Sequence, residues 1–198
     1  MTRTAQITRT TGETDVSLTL GLSGTGAGAR NTGIGFFDHM LDLLARHGRL
    51  DLDVTVTGDL ETGSHHTVED TGIVLGRALD RALGERRGIA RYGHAVVPMD
   101  EARAACTIDV SGRPLASVEG FSRLPAGDIA GFEHEAAEEF FRAVASDARL
   151  TLHLELLAGT NAHHMIEACF KAFARALRAA VAVDPDENGV PSTKGTLT

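Results

Sequence analysis

The sequence predicts an α+β fold made of two similar halves, each a small sheet with two helices, packed together into one compact unit. Three observations predict it: motifs recur at nearly constant offsets along 198 residues, several runs alternate apolar and polar residues, and the runs between them place apolar residues three and four apart. Repetition is read first, because a missed repeat misreads the whole chain. Gly35-Phe36-Phe37-Asp38-His39 leads through Leu44-Ala45 to Arg49-Leu50-Asp51-Leu52, then His65-His66-Thr67-Val68-Glu69 and Arg77-Ala78-Leu79. Glu139-Phe140-Phe141 leads likewise through Val144-Ala145 to Arg149-Leu150-Thr151-Leu152, then His163-His164-Met165-Ile166-Glu167 and Arg175-Ala176-Leu177. The offset is 100 at Arg49/Arg149 and 98 at His65/His163, which puts a two-residue difference in the turn between them. Turns absorb such changes easily. Upstream, Glu13, Thr19, Ser23 and Gly24 face Glu101, Thr107, Ser111 and Gly112 at an offset of 88. The halves are residues 1–90 and 91–198, the second carrying a C-terminal tail, with Gly84 to Gly93 as the joint.

Val16, Leu18, Leu20 and Leu22 alternate with polar or small residues and predict the first half-buried strand. Phe37, Leu41 and Leu44 then predict a helix, Leu50 to Val56 a strand, and Leu75, Leu79 and Ala82 a second helix. In the second half the series is Cys106 to Val110 (strand), Phe140 and Val144 (helix), Leu150 to Leu156 (strand), and Ile166, Phe170, Phe173 and Leu177 (helix). Each sheet thus has one face to be covered by two helices.

A hydrophobic content of 42% suits an ordinary globular chain. No stretch reaches the roughly 20 apolar residues that span a bilayer, and Met-Thr-Arg-Thr-Ala-Gln has no signal-peptide core, so the expected location is the cytoplasm. Cys106 and Cys169 lie in apolar runs and read as small buried hydrophobes. The formal charge of -8, with no basic stripe, argues against nucleic acid as a partner. It leaves room for a small phosphorylated substrate, since a few cations dominate the field inside a pocket.

The two His-His-x-x-Glu segments carry the chemistry. On a helix adjacent side chains point about 100° apart, while residues three and four apart share a face. Glu69 can therefore join either His65 or His66 around one ion, but the two adjacent imidazoles aim at different ions. Imidazole with carboxylate suits Mn, Fe, Zn or Ni, and the lack of Cys argues against structural zinc. His39 and its counterpart Glu139 extend the candidate ligands to His39, His65, His66, Glu69, Glu139, His163, His164 and Glu167, enough for two ions with open positions. Glu13 and Asp100-Glu101 stand at strand entrances, where carboxylates can do acid or base work. His47 shares the face of His39, two turns on. His153 reads as a surface residue, and His94 and His134 carry no signal. Pro191-Ser192-Thr193-Lys194-Gly195 offers donors to an anion, and Arg91, Arg113 and Lys171 can join it. From the residues alone, a hydrolase with metal-activated water and a non-catalytic metal-binding scaffold remain alternatives.

The motifs Gly35 to Asp42, Ser64 to Asp70, Val97-Pro98-Met99-Asp100-Glu101, Ser111-Gly112-Arg113-Pro114, His163 to Ala168 and Pro191 to Gly195, in this order, resemble the imidazoleglycerol-phosphate dehydratase family over nearly the whole chain. The resemblance implies dehydration of D-erythro-imidazole glycerol phosphate to imidazole acetol phosphate in L-histidine biosynthesis, through a metal-bound imidazolate and a diazafulvene-like intermediate. It implies two Mn2+ per subunit on the eight ligands above, with other divalent metals possible, and a homo-oligomer of 24 subunits sharing active sites. Implied substrate contacts are Glu13, His39, His47, His65, Glu69, Arg91, Arg113, His163, Glu167, Lys171, Ser192, Thr193 and Lys194, with Glu13, Asp100 and Glu101 moving protons. The chain departs from many members at Glu139, often histidine there, and at Leu43, often glutamine.

Overall fold

The computed structural model describes residues 3–197. Strand β1 (Thr4–Thr10), β2 (Thr14–Gly21), β4 (Asp51–Gly58) and the two-residue β3 (Arg30–Asn31) form one sheet in the order β1-β2-β4-β3. The strands β5 (Tyr92–Met99), β6 (Ala102–Asp109), β10 (Thr151–Ala158) and β7 (Leu115–Glu119) form a second, in the order β5-β6-β10-β7. The pairing repeats as well: two antiparallel ladders and one parallel edge in each sheet. The duplication read from the sequence is thus a duplication of topology.

Helices α1 (Gly35–Gly48) and α2 (His65–Leu83) belong to the first half, and α3 (Ala136–Asp147) and α4 (Ala162–Ala180) to the second. Alternation in β2 buries Val16, Leu18 and Leu20 and leaves Ser17 and Thr19 on the outer face. Helix α2 lies on β1 and β2, and α4 on β5 and β6. Across the halves α2 packs on α3 and α1 on α4, so the sheets share one continuous core. Phe37, Phe140, Phe141, Phe170 and Phe173 sit at its centre, fully buried.

Helix ends repeat too. Leu50 N–H bonds to the Ala45 carbonyl at 3.0 Å and Leu150 N–H to Ala145 at 2.9 Å, across Arg49 and Arg149, both left-handed. The two-residue difference falls in the turn after β4, where Leu60–Thr62 forms a short 3-10 turn absent after β10. The shift from offset 88 to 100 lies between β7 and α3, a longer connection that holds the hairpin β8 (Asp128–Ile129) and β9 (Phe132–Glu133). Cys106 and Cys169 are buried, and burial pushes both thiols well above their ordinary pKa. No helix among the described residues is long and apolar enough to cross a membrane.

Candidate metal centre

The His-His-x-x-Glu segments open α2 and α4, where the chain leaves β4 and β10. In the second half Asn161 caps the helix, its side chain accepting from His164 N–H at 3.3 Å. In the first, Ser64 is buried and held by Glu133 of the β8–β9 hairpin, whose Oε2 accepts from Ser64 N–H at 2.8 Å and Oγ–H at 3.0 Å. The longer connection of the second half thus braces the residue before His65.

Within each doublet the imidazoles diverge. His163 Nε2 lies 3.0 Å from Glu167 Oε2, while His164 Nδ1 lies 2.8 Å from Glu101 Oε2 and its Nε2 lies 3.8 Å from Asp100. His65 Nε2 is 3.7 Å from Glu69, one turn on, while His66 Nδ1 is 3.0 Å from Asp59 and its Nε2 is 3.8 Å from Glu13. The pairs His66–Glu13 and His164–Glu101 are repeat equivalents.

One cluster brings three candidate ligands together. Ligand atoms of His39, His163 and Glu167 all lie within 4.8 Å of one another. Helix α1 brings His39 there because α1 packs on α4. Phe36 meets the His163 ring edge-on at 4.9 Å. Glu167 is buried; burial pushes its carboxyl up, but the hydrogen bond and charge of Lys171, with His163 and His39, outweigh that and leave it below the usual range. His164 is raised by its bond to Glu101, and His66 by its bond to Asp59. Glu101 is held far below the carboxylate range by His164 and by the Asn161 and Thr160 amides.

Among the described residues Glu139 joins no such group with His65 and Glu69. The expected anion-binding residues separate into two places. Arg91 is fixed by Asp109 at 2.8 and 3.1 Å and by the Pro191 carbonyl at 2.7 Å, with Arg113 3.8 Å from the same Asp109. Lys171 instead pairs with Glu167 and lies 3.6 Å from the Met99 sulfur, at the far end of β5. Eight strand residues separate these ends, roughly 25 Å. His47 is half-buried, its imidazole pushed down by burial and by Lys171 and Arg175. The tail is not loose: besides Arg91 on Pro191, the buried Arg86 donates to the Leu197 carbonyl at 2.7 Å, and Ser192 Oγ accepts from Lys194 N–H at 3.2 Å. His153 and His94 are exposed, whereas His134 is buried with Nδ1 2.7 Å from the Pro125 carbonyl.

Sequence reasoning passed over Asp59, Asp109 and Glu133. Asp59 and Glu133 lie in the stretches where the repeats differ in length, so repetition could not mark them. Asp109 was legible only as the end of a strand, two residues before Ser111-Gly112-Arg113.

The fold and the clusters define a class: an internally duplicated α+β chain whose imidazoles and carboxylates gather at helix starts, within reach of a divalent ion. The family model for imidazoleglycerol-phosphate dehydratase matches residues 32–177. An imidazoleglycerol-phosphate dehydratase of Jannaschia sp. is 54% identical over 196 residues, 98% of this chain and 100% of the relative, and one of Symbiobacterium thermophilum is 56% identical over 98% and 93%. The crystal structure of the Staphylococcus aureus enzyme superposes with a TM-score of 0.81 at 39% identity, covering 91% of this chain and 99% of the other. That of the Pyrococcus furiosus enzyme, in complex with (S)-C348, gives 0.81 at 36%, covering 96% and 100%. The chain belongs to the imidazoleglycerol-phosphate dehydratase family, and is a hydro-lyase.

Proposed function

We propose that the chain converts D-erythro-imidazole glycerol phosphate to imidazole acetol phosphate in the cytoplasm, for L-histidine biosynthesis, with two divalent ions per subunit, Mn2+ foremost. The observation that carries the metal reading is the convergence of His39, His163 and Glu167 within 4.8 Å. Their nitrogen and oxygen donors fit a borderline divalent ion. In this reading His65, His66, Glu69, Glu139 and His164 complete the ligand set. Bound ions would supply Lewis acidity at the two nitrogens of the substrate's ring.

The rest falls to the chain's own groups. The substrate's carbon-bound hydrogen is not acidic, so the ring serves as electron reservoir: as an imidazolate it expels the neighbouring hydroxyl, giving a diazafulvene-like intermediate. Loss of the adjacent C–H proton then yields an enol that rearranges to the ketone. Glu13, with Asp100 and Glu101, moves these protons. Arg91, Arg113, Lys171, Ser192, Thr193 and Lys194 hold the phosphate, and His47 borders the substrate.

The eight ligands fall into separate groups in one chain, and the phosphate-binding residues lie at opposite ends of β5. That separation supports sites completed by neighbouring subunits, in a homo-oligomer of 24 chains; residues 1–90 and 91–198 are then one unit that offers two kinds of half-site. The test is to strip the metal, then follow particle mass and substrate turnover as Mn2+ is restored. Mass and turnover should return together; full activity in a metal-free monomer would refute the reading.

A further inference from the structure

The pseudo-symmetry of the halves exposes a cluster of three arginines that the proposed reaction does not use. At the α2–α3 contact each arginine has a carboxylate: Arg77 Nε lies 2.9 Å from Asp147, and Arg149 Nη2 lies 3.0 Å from Asp80, which also takes Arg86. The equivalent positions at the α4–α1 contact are Arg175 for Arg77, His47 for Asp147, Arg49 for Arg149 and Arg178 for Asp80. Two arginines and two aspartates have become three arginines and a histidine. None of Arg49, Arg175 and Arg178 has a carboxylate in ion-pair range among the described residues, and all three are exposed.

These arginines line one cleft. It has a volume of about 940 Å³, lies against the edge strand β5 at His94 to Val96, and includes no acidic residue in its wall. Arg3 closes one side, donating to Ser23 Oγ at 3.3 Å and to the Val181 carbonyl, both residues of the wall. Three guanidinium groups with no carboxylate in ion-pair range repel one another, and a bound anion would relieve that repulsion. Guanidinium forks match phosphate oxygens in pairs, and three arginines, two of them one turn apart on α4 and one at the end of α1, suit more than one phosphate group.

We infer that the cleft bounded by Arg49, Arg175 and Arg178 is a binding site for a small molecule carrying two phosphate groups, separate from the candidate metal centre. The other repeat supplies the variant that tests it. Arg178→Asp restores the residue present at Asp80, and the new carboxylate can pair with Arg49 as Asp80 pairs with Arg149, so folding is kept. The probe is fructose 1,6-bisphosphate, titrated calorimetrically into the assembled, Mn2+-loaded protein. Wild type should show a class of one site per chain that weakens at least tenfold in Arg178→Asp and several-fold in Arg178→Gln. The same class should persist in Arg113→Ala, which alters the phosphate end of the proposed active site instead. Turnover of imidazole glycerol phosphate should be unchanged in Arg178→Asp. Bisphosphate binding that survives both Arg178 variants overturns the inference. So does loss of particle mass in Arg178→Asp, which would make the cleft a contact between copies.

Discussion

Glu13 and Glu101 occupy equivalent places before β2 and β6, yet their surroundings differ. Glu101 has one oxygen on the Thr160 and Asn161 amides and the other on His164, so it is ionised and held in place. The Glu13 carboxylate is more than half exposed and, among the described residues, its one ion-pair partner is His66, at 3.8 Å, so it is not held in place as Glu101 is. Duplication made both residues visible in the sequence but could not rank them, because the ranking depends on the loop amides that one of them meets. Glu13→Gln keeps the size of the side chain and removes its basicity. Turnover should fall about 10²- to 10⁴-fold, the usual share of a general base, with particle mass and melting temperature unchanged. If steady-state kinetics show full turnover, proton transfer belongs to Asp100 or Glu101.

The elements legible in the sequence are those with one face wholly buried. β2, β4, β6 and β10 alternate cleanly because each lies inside its sheet, between two partners. β1 fully buries only Ala5 and β5 only Gly93, the rest of their inward faces (Ile7; Ala95, Val97 and Met99) being half-buried, so the apolar period of these edge strands is weak, and two-residue β3 has no period to read. The helix-to-helix contacts were legible in part, as stripes, but their closeness is set by glycines. A Cβ on Gly76 would stand 2.9 Å from both the Val144 carbonyl oxygen and the Ala148 nitrogen, and one on Gly72 would stand 2.9 Å from the Phe140 carbonyl oxygen. These are backbone atoms of α3 and cannot swing aside. Gly76→Ala gains about 1 kcal/mol of helix propensity, against an overpacking cost of about 1–3 kcal/mol. Overlap with backbone places the cost at the upper end, so the variant should lose about 1–2 kcal/mol, seen as a lower urea midpoint with an unchanged slope. Gly35→Ala, whose added methyl meets nothing within 4 Å, is the control. A Gly76→Ala protein more stable than wild type would contradict so close a crossing of α2 and α3.

At the scale of the whole molecule, the halves and the tail are tied by a residue that a sequence reading passes over. Arg86 sits in the Gly- and Arg-rich joint, yet it is 2% exposed, its backbone left-handed (φ 57°). Its guanidinium meets Asp80 at the end of α2, the Ala148 carbonyl after α3 at 3.4 Å, and the Leu197 carbonyl at 2.7 Å. Burial lowers its pKa and Asp80 opposes that, so one charge is kept inside by one carboxylate and two carbonyls. Removing one partner of a buried pair costs about 3–5 kcal/mol. Asp80 keeps Arg149 at 3.0 Å and is part-exposed, so the loss in Arg86→Met should be smaller, about 2–3 kcal/mol by chemical denaturation. A second effect should follow from geometry. With the Arg86 bond to the Leu197 carbonyl lost, one tie of the tail is removed while Pro191 on Arg91 and Gly189 on Gly88 remain, so Ser192 to Lys194 are less firmly placed. Limited proteolysis should then cut within 190–197, and KM for the phosphorylated substrate should rise more than kcat falls, since binding rather than proton transfer is disturbed. A variant with wild-type protease resistance and an unchanged KM would show that the tail is placed without Arg86.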